Sequence, residues 1–238
     1  MEGAIQRQRL ENLLRESGLG KALPKPETPR YPAVRTGWRE LDERLGGGLP
    51  RGAISEITGP DSSGRTGLVF SLLARETGEG AAAAYVDATD ALDPRSALEA
   101  GVDLARLLWV RCDPREAPRY EKAQRVDQAW QASNLIAAAG GFGLIVVDLG
   151  GLAVRRLRQW QRRPWVRLRQ AVEHTTTALV VLASDPVAGS AAGAVVGLQR
   201  QSVQWRDGLL LDGIRTTGSV LRRKGAAEDA GAAARRAA

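Results

Sequence analysis

The stretch GPDSSGRTG, residues 59–67, has the spacing of a loop that cradles phosphate, G-x-x-x-x-G-K-[ST], except that Arg65 stands at the lysine position. Such a loop works only between a strand and a helix. The strand delivers a turn of backbone N–H groups onto the first helical turn, where partial positive charge favours an anion. Both flanks are present: residues 53–58, AISEIT, read as a strand, and residues 66–76 carry Leu68, Leu72 and Leu73 on one helical face. Candidate phosphate contacts are Gly59, Ser62, Ser63, Gly64, Arg65 and Thr66, with the Thr66 hydroxyl placed for a magnesium ion. Arginine is longer, planar and bulkier than lysine; its fork binds phosphate, but it fits poorly inside the loop it must fold back into.

Outward from the loop, short apolar runs alternate with helical stretches, the pattern of an α/β fold with a mostly parallel sheet flanked by helices. Residues 36–44 read as a short helix capped by Thr36 and ended by the glycines at 46, 47 and 48. Strands are expected over 83–87, 107–112, 144–149 and 179–184, and helices from Pro94, over 120–139 and over 162–174. The run LIVV before Asp148 reads as a buried strand whose terminal carboxylate stands near the magnesium of a phosphate-loop site; taken alone, such a strand is common. Asp207-Gly208, between 195–206 and 209–217, signals a C-terminal antiparallel hairpin. The chain divides into an N-terminal helix and proline-rich linker (1–34), a core (35–224) and a disordered alanine-rich tail (225–238).

Charge is uneven. The net +7 of the 238 residues splits into +2 over 1–60, −4 over 61–149, +9 over 150–224 and zero beyond. A basic segment on a near-neutral body is the footprint of a polyanion partner, nucleic acid first; arginine enrichment from a GC-rich coding sequence is the bland alternative. The segment VRRLRQWQRRPWVRLRQ, residues 154–170, holds seven arginines with Trp160 and Trp165. Arg155, Arg156, Arg158, Trp160, Arg162, Arg163, Trp165 and Arg167 are therefore candidates for contact with DNA or with a protein partner. A third reading keeps Trp165 and Leu168 in the core while the arginines extend outward. His174 reads as a helix C-terminal cap and Cys112 as an ordinary buried thiol. The single cysteine makes no internal disulfide, and no Cys/His cluster offers a zinc site. No apolar run approaches the roughly 20 residues of a membrane span, and the charged first residues are unlike a leader. A cytoplasmic protein with no membrane partner is expected.

Three stretches carry a family resemblance: RTG at 35–37, LDERLGGGLPRGAISEITGPDSSGRTG at 41–67, and YVDATDALDPRSALEAGVDLARLL at 85–108. They resemble the N-terminal part of bacterial RecA recombinases, which carry G-G-L-P-x-G, G-P-E-S-S-G-K-T-T and D-A-E-H-A-L-D-P in this order. The likeness is dense from about Thr36 to Leu108, continues through the Asp148 strand and then fades. It implies the RecA-type ATPase fold. Thr66, Asp87, Asp93 and Asp148 are kept. Four other positions depart: Arg65 replaces the loop lysine, Thr89 the glutamate that activates water, Ser96 an aromatic that stacks on adenine, and Ser184 a glutamine that senses the terminal phosphate. The resemblance thus implies a degenerate ATPase site with no catalytic residue, no required cofactor, and weak capture of ATP with magnesium at most. Asp90, beside Thr89, is a poor substitute base because neighbours on an extended chain point to opposite sides.

Among RecA relatives, a short chain with an eroded site is similar to the ImuA family, accessory proteins of SOS-linked mutagenic translesion synthesis. That likeness implies a non-hydrolytic adaptor for an ImuB-type polymerase-like protein and an error-prone DNA polymerase complex, with RecA and DNA as further partners. Two alternatives stay open: an ATP-dependent RecA-family recombinase or motor, and a protein inhibitor of RecA filaments.

Overall fold

The computed structural model describes residues 32–112, 121–150, 152, 162–206 and 210–224. Residues 1–31, the tail, the turn at Asp207-Gly208, and Arg155, Arg156, Arg158 and Trp160 lie outside the described residues, which include only 32–34 of the expected N-terminal helix and linker.

In chain order the elements are α1 (Arg39–Leu45), β1 (Ala53–Thr58), α2 (Arg65–Gly78), β2 (Ala82–Asp87), α3 (Pro94–Glu99), β3 (Leu107–Arg111), α4 (Glu121–Ala139), β4 (Phe142–Asp148), α5 (Arg162–Val172), β5 (Ala178–Ala183), β6 (Ala192–Arg206) and β7 (Leu210–Arg223). The strands form one sheet in the order β3-β2-β4-β5-β1-β6-β7. Every pairing is parallel except that of β6 with β7. This is the α/β architecture that the alternation of apolar runs predicts, with the terminal antiparallel pair that Asp207-Gly208 signals.

Strands β4 and β5 lie at the centre and are buried on both faces, which is why LIVV and ALVVLA are unbroken apolar runs. One face packs against α4 and α5, through Ile145, Val147, Leu179 and Val181 with Trp130, Trp165, Leu168 and Val172. The opposite face packs against α1, α2 and α3, through Leu144, Val146, Val180 and Leu182 with Leu41, Leu45, Leu72, Leu73 and Ala97. Trp130 and Trp165 meet edge to face, ring centroids 4.3 Å apart at 77°.

Thr36 does not cap α1. That helix starts at Arg39 behind Trp38, because Gly37 turns the chain with φ +81° and Thr36 is drawn into a separate bond set. Its backbone N–H and its hydroxyl both donate to Asp42 Oδ1 at 2.8 Å, and its oxygen accepts from Trp38 N at 3.1 Å. The helix ends at Gly46, as the glycine run predicts. The helix expected to reach His174 ends at Val172, and His174 takes a left-handed φ of +66° just beyond it, stopping the helix with its backbone. Strand β7 runs on to Arg223 rather than stopping at 217, since its far half pairs with β6 from Ala194 onward.

At the amino ends of the parallel strands, Arg51 ties four segments together. Its Nη2 pairs with Glu76 Oε1 at 2.7 Å, its Nη1 donates to Gly143 O (2.9 Å) and Thr176 O (3.0 Å), and its Nε donates to Pro32 O (2.9 Å). The carboxyl ends carry the glycine loop and Asp148, where open α/β sheets place their ligands.

Candidate nucleotide site and basic face

The glycine loop takes the expected form, strand to turn to helix, and two glycines are needed for its shape. Gly59 has φ +150°, and a Cβ there would stand 2.3 Å from the carbonyl oxygen of Leu198 on β6. Gly64 precedes α2 with φ +90°, and a Cβ there would stand 2.8 Å from Thr216 Oγ1 on β7. The C-terminal strand pair thus lies against the loop. Ser62 adopts φ +60°, Ser63 is buried, and Thr66 is exposed in the first turn of α2. Gly59 N donates to Ser184 O at 3.1 Å, so Ser184 supports the loop through its backbone.

Arg65 does not project into solvent. Its side chain is 11% exposed, and Nη2 donates to Asp61 Oδ1 at 2.9 Å. Its Nη1 is buried and meets no acceptor among the described residues. That nitrogen lies 3.3 Å from where a Cβ on Gly150 would stand, and Asp148 Oδ1 lies 3.1 Å from the same point. Guanidinium and carboxylate therefore both approach Gly150, with no hydrogen bond or ion pair between them.

Both oxygens of Asp148 are engaged. Oδ2 accepts from the Tyr85 hydroxyl at 2.7 Å, and Oδ1 accepts from Gly150 N at 2.9 Å. Burial raises the Asp148 pKa; the two hydrogen bonds and Arg65 oppose that rise, and neighbouring Asp87 adds to it. The Tyr85 hydroxyl is held protonated by burial and by the adjacent Asp148. Magnesium in a site of this kind would draw on Thr66 and Asp148. Here each carboxylate oxygen already accepts an internal donor and a permanent cation lies nearby, so the residues present do not suit the metal. Among the described residues no group of three or more His, Cys, Asp or Glu is arranged to hold one.

The other acidic positions have structural duties. Asp87 accepts from Thr89 N and Thr89 Oγ1 (3.1 Å each), Ala91 N (3.2 Å), Leu92 N (3.0 Å) and Trp109 Nε1 (3.3 Å), which folds the turn after β2. Asp90, at φ +56°, forms a two-pronged pair with Arg111 at 2.7 and 3.0 Å. Asp93 is the N-cap of α3, accepting from Arg95 N, Ser96 N and, at 2.5 Å, Ser96 Oγ. The Ser96 hydroxyl bond is the largest cause of its lowered pKa.

On the basic face, Trp165 is 5% exposed and belongs to the core, with Leu168 buried beside it. Trp165 and Leu168 are therefore core residues, as the third reading of the segment expects of these two positions. Arg167 is exposed on α5, and Arg162 and Arg163 open its first turn. Sequence reasoning missed a second gathering of cations. Arg222 Nη2 donates to the carbonyls of Gly189 and Ala192 and Lys224 Nζ to that of Ser190, while burial and the nearby charges of Arg169 and Arg222 depress the Lys224 pKa. These residues are dispersed in the chain, and only the packing of α5 and of the end of β7 against residues 189–192 brings them together. Tyr85 was missed as well, because nothing local distinguishes it from any strand aromatic.

Glu56, fully buried on β1, accepts from Val187 N (2.6 Å) and Ala188 N (2.8 Å). Burial raises its pKa, opposed by those two bonds and by Arg222. A carboxyl whose folded pKa is raised binds more protons folded than unfolded, so its contribution falls as pH rises above the ordinary 4.5. Glu56→Gln should accordingly flatten the decline of folding stability with pH above that value, measured by urea unfolding at a series of pH values. An unaltered pH profile would contradict this.

Residues 10–155 match the family described as the RecA N-terminal domain. Protein RecA of Thermus aquaticus is 38% identical over 150 residues, 60% of this chain and 41% of that protein. Protein RecA of Cutibacterium acnes is 38% identical over 142 residues, 58% of this chain and 38% of that protein. The chain thus spans about two fifths of the length of these curated relatives. The crystal structure of the RadB recombinase superposes with a TM-score of 0.55 at 18% identity, covering 71% of this chain and 84% of that one, a likeness of fold. No helix among the described residues is long and apolar enough to cross a membrane. With more than half of its length matched, and with a glycine loop, a strand ending in Asp148 and a parallel sheet in the arrangement its sequence predicts, the chain belongs to the RecA N-terminal domain family.

Proposed function

We propose that this chain is a RecA-fold accessory protein that does not turn over ATP and that holds a polymerase-like partner near damaged DNA. One observation carries the reading: among the described residues, the position that should hold the water-activating carboxylate and its acidic neighbour are both committed to other partners. Thr89 stands where the resemblance places the water-activating glutamate, and its hydroxyl is committed to Asp87. Its neighbour Asp90 is committed to Arg111. Loss of a general base costs about a hundred- to ten-thousandfold in rate. Ser96, in place of a stacking aromatic, is a capping hydroxyl, so ATP with magnesium is not a required cofactor. Following the likeness to the ImuA family, the partners are an ImuB-type protein and an error-prone polymerase complex, with RecA and DNA as further contacts through the basic face.

Relatives named RecA, 38% identical, favour a second reading, an ATP-driven recombinase. A steady-state phosphate-release assay with single-stranded DNA separates the two. We expect wild type and Asp148→Asn to sit together at background. DNA-stimulated turnover abolished by Asp148→Asn would establish the motor instead.

A further inference from the structure

The residues around Asp148 disagree with the metal that the family implies, and the disagreement itself has a structural content that deepens the accessory reading. Asp148 Oδ2 is taken by the Tyr85 hydroxyl at 2.7 Å and Oδ1 by Gly150 N at 2.9 Å. The Arg65 guanidinium lies nearby without a hydrogen bond or ion pair to that carboxylate, Nη1 at 3.3 Å and Asp148 Oδ1 at 3.1 Å from the point where a Cβ on Gly150 would stand. The other end of the same guanidinium holds Asp61, inside the glycine loop, at 2.9 Å. Arg65 is therefore tied to the loop through Asp61 and brings its charge toward Asp148 at the end of β4, where it opposes the rise in the carboxyl's pKa. An arginine is suited to this: its charge is permanent and its planar fork serves two directions at once, where a lysine offers one compact point.

We infer that Arg65 and Tyr85 close the Asp148 carboxylate into an internal latch, so that the glycine loop keeps its shape with neither nucleotide nor divalent cation. The loop face then stays constant, and a partner that reads it needs no ATP switch. This differs from a site that has merely lost hydrolysis, which would still order its loop on binding magnesium and nucleotide.

Thermal unfolding of the full chain tests the latch. ATP with magnesium chloride is compared with ATP and EDTA; a ligand at a hundred times its Kd raises the midpoint by roughly 5–10 °C in a chain of this size. The latch predicts no magnesium-dependent rise in wild type. In EDTA without nucleotide it predicts that Asp148→Asn and Arg65→Met each lower the midpoint by several degrees, and that the double variant falls by less than their sum, because the two side chains act on one another. Tyr85→Phe, a milder change, should lower the midpoint under the same conditions. A magnesium-dependent rise in wild type, or strictly additive losses in Arg65→Met and Asp148→Asn, overturns the latch. Such a rise without phosphate release would defeat the latch and leave the accessory reading intact, whereas DNA-stimulated turnover defeats the accessory reading.

Discussion

Replacing Arg51 with alanine is expected to lower the stability of the core by about 3–5 kcal/mol, the cost of removing one partner from a buried ion pair. Glu76, the partner, has a side chain only 3% exposed and would keep a charge with nothing opposite it. The same substitution strips donors from the carbonyls of Pro32, Gly143 and Thr176, which belong to three separate segments. Each lost bond to a charged donor is worth more than a neutral one, although losses at one residue do not simply add. Urea unfolding reads the effect as a lower midpoint at unchanged slope. Arg51→Lys should recover only part, since an ammonium group can face Glu76 but lacks the fork that reaches the carbonyls. A loss under about 1 kcal/mol in Arg51→Ala would show that water replaces the network at little cost.

That network also marks where reading the chain stops. Strands β4 and β5 were legible because central parallel strands are buried on both faces and leave continuous apolar runs. The glycine loop was legible because its geometry demands glycine: Gly59 and Gly64 stand against Leu198 and Thr216, a contact between distant segments that still leaves a local trace. Arg51 left none. It looks like any surface arginine after a turn, and its acceptors are main-chain carbonyls, which carry no residue identity. The start of α1 was misplaced for a related reason, since Thr36 satisfies Asp42 and Trp38 rather than the helix end, a choice among equivalent donors that only the packed turn decides. Within the site, the substitutions at Arg65, Thr89 and Ser96 could be read, but not their new partners. Asp87 and Asp93 were legible as retained residues, whereas their duties as turn organiser and helix cap emerge from the geometry.

Trp165→Ala should cost about 3–5 kcal/mol, the usual range for emptying a buried indole site. The side chain is 5% exposed and packs edge to face against Trp130, so the substitution leaves a cavity between α4 and α5 and removes an aromatic pair as well. Arg167→Ala, two residues further along the same helix and exposed, should change stability by no more than about 0.5 kcal/mol. The contrast decides how a segment of seven arginines and two tryptophans is to be understood. Stacking on a base and packing in a core make opposite demands on an indole, because the first needs an open ring face and the second needs both faces covered. If Trp165→Ala is as stable as wild type while binding of single-stranded DNA weakens, the indole serves at the surface. If stability falls by several kcal/mol while Arg167→Ala alone weakens binding and makes its salt dependence shallower, the core holds the tryptophan and the arginines remain as the contact surface.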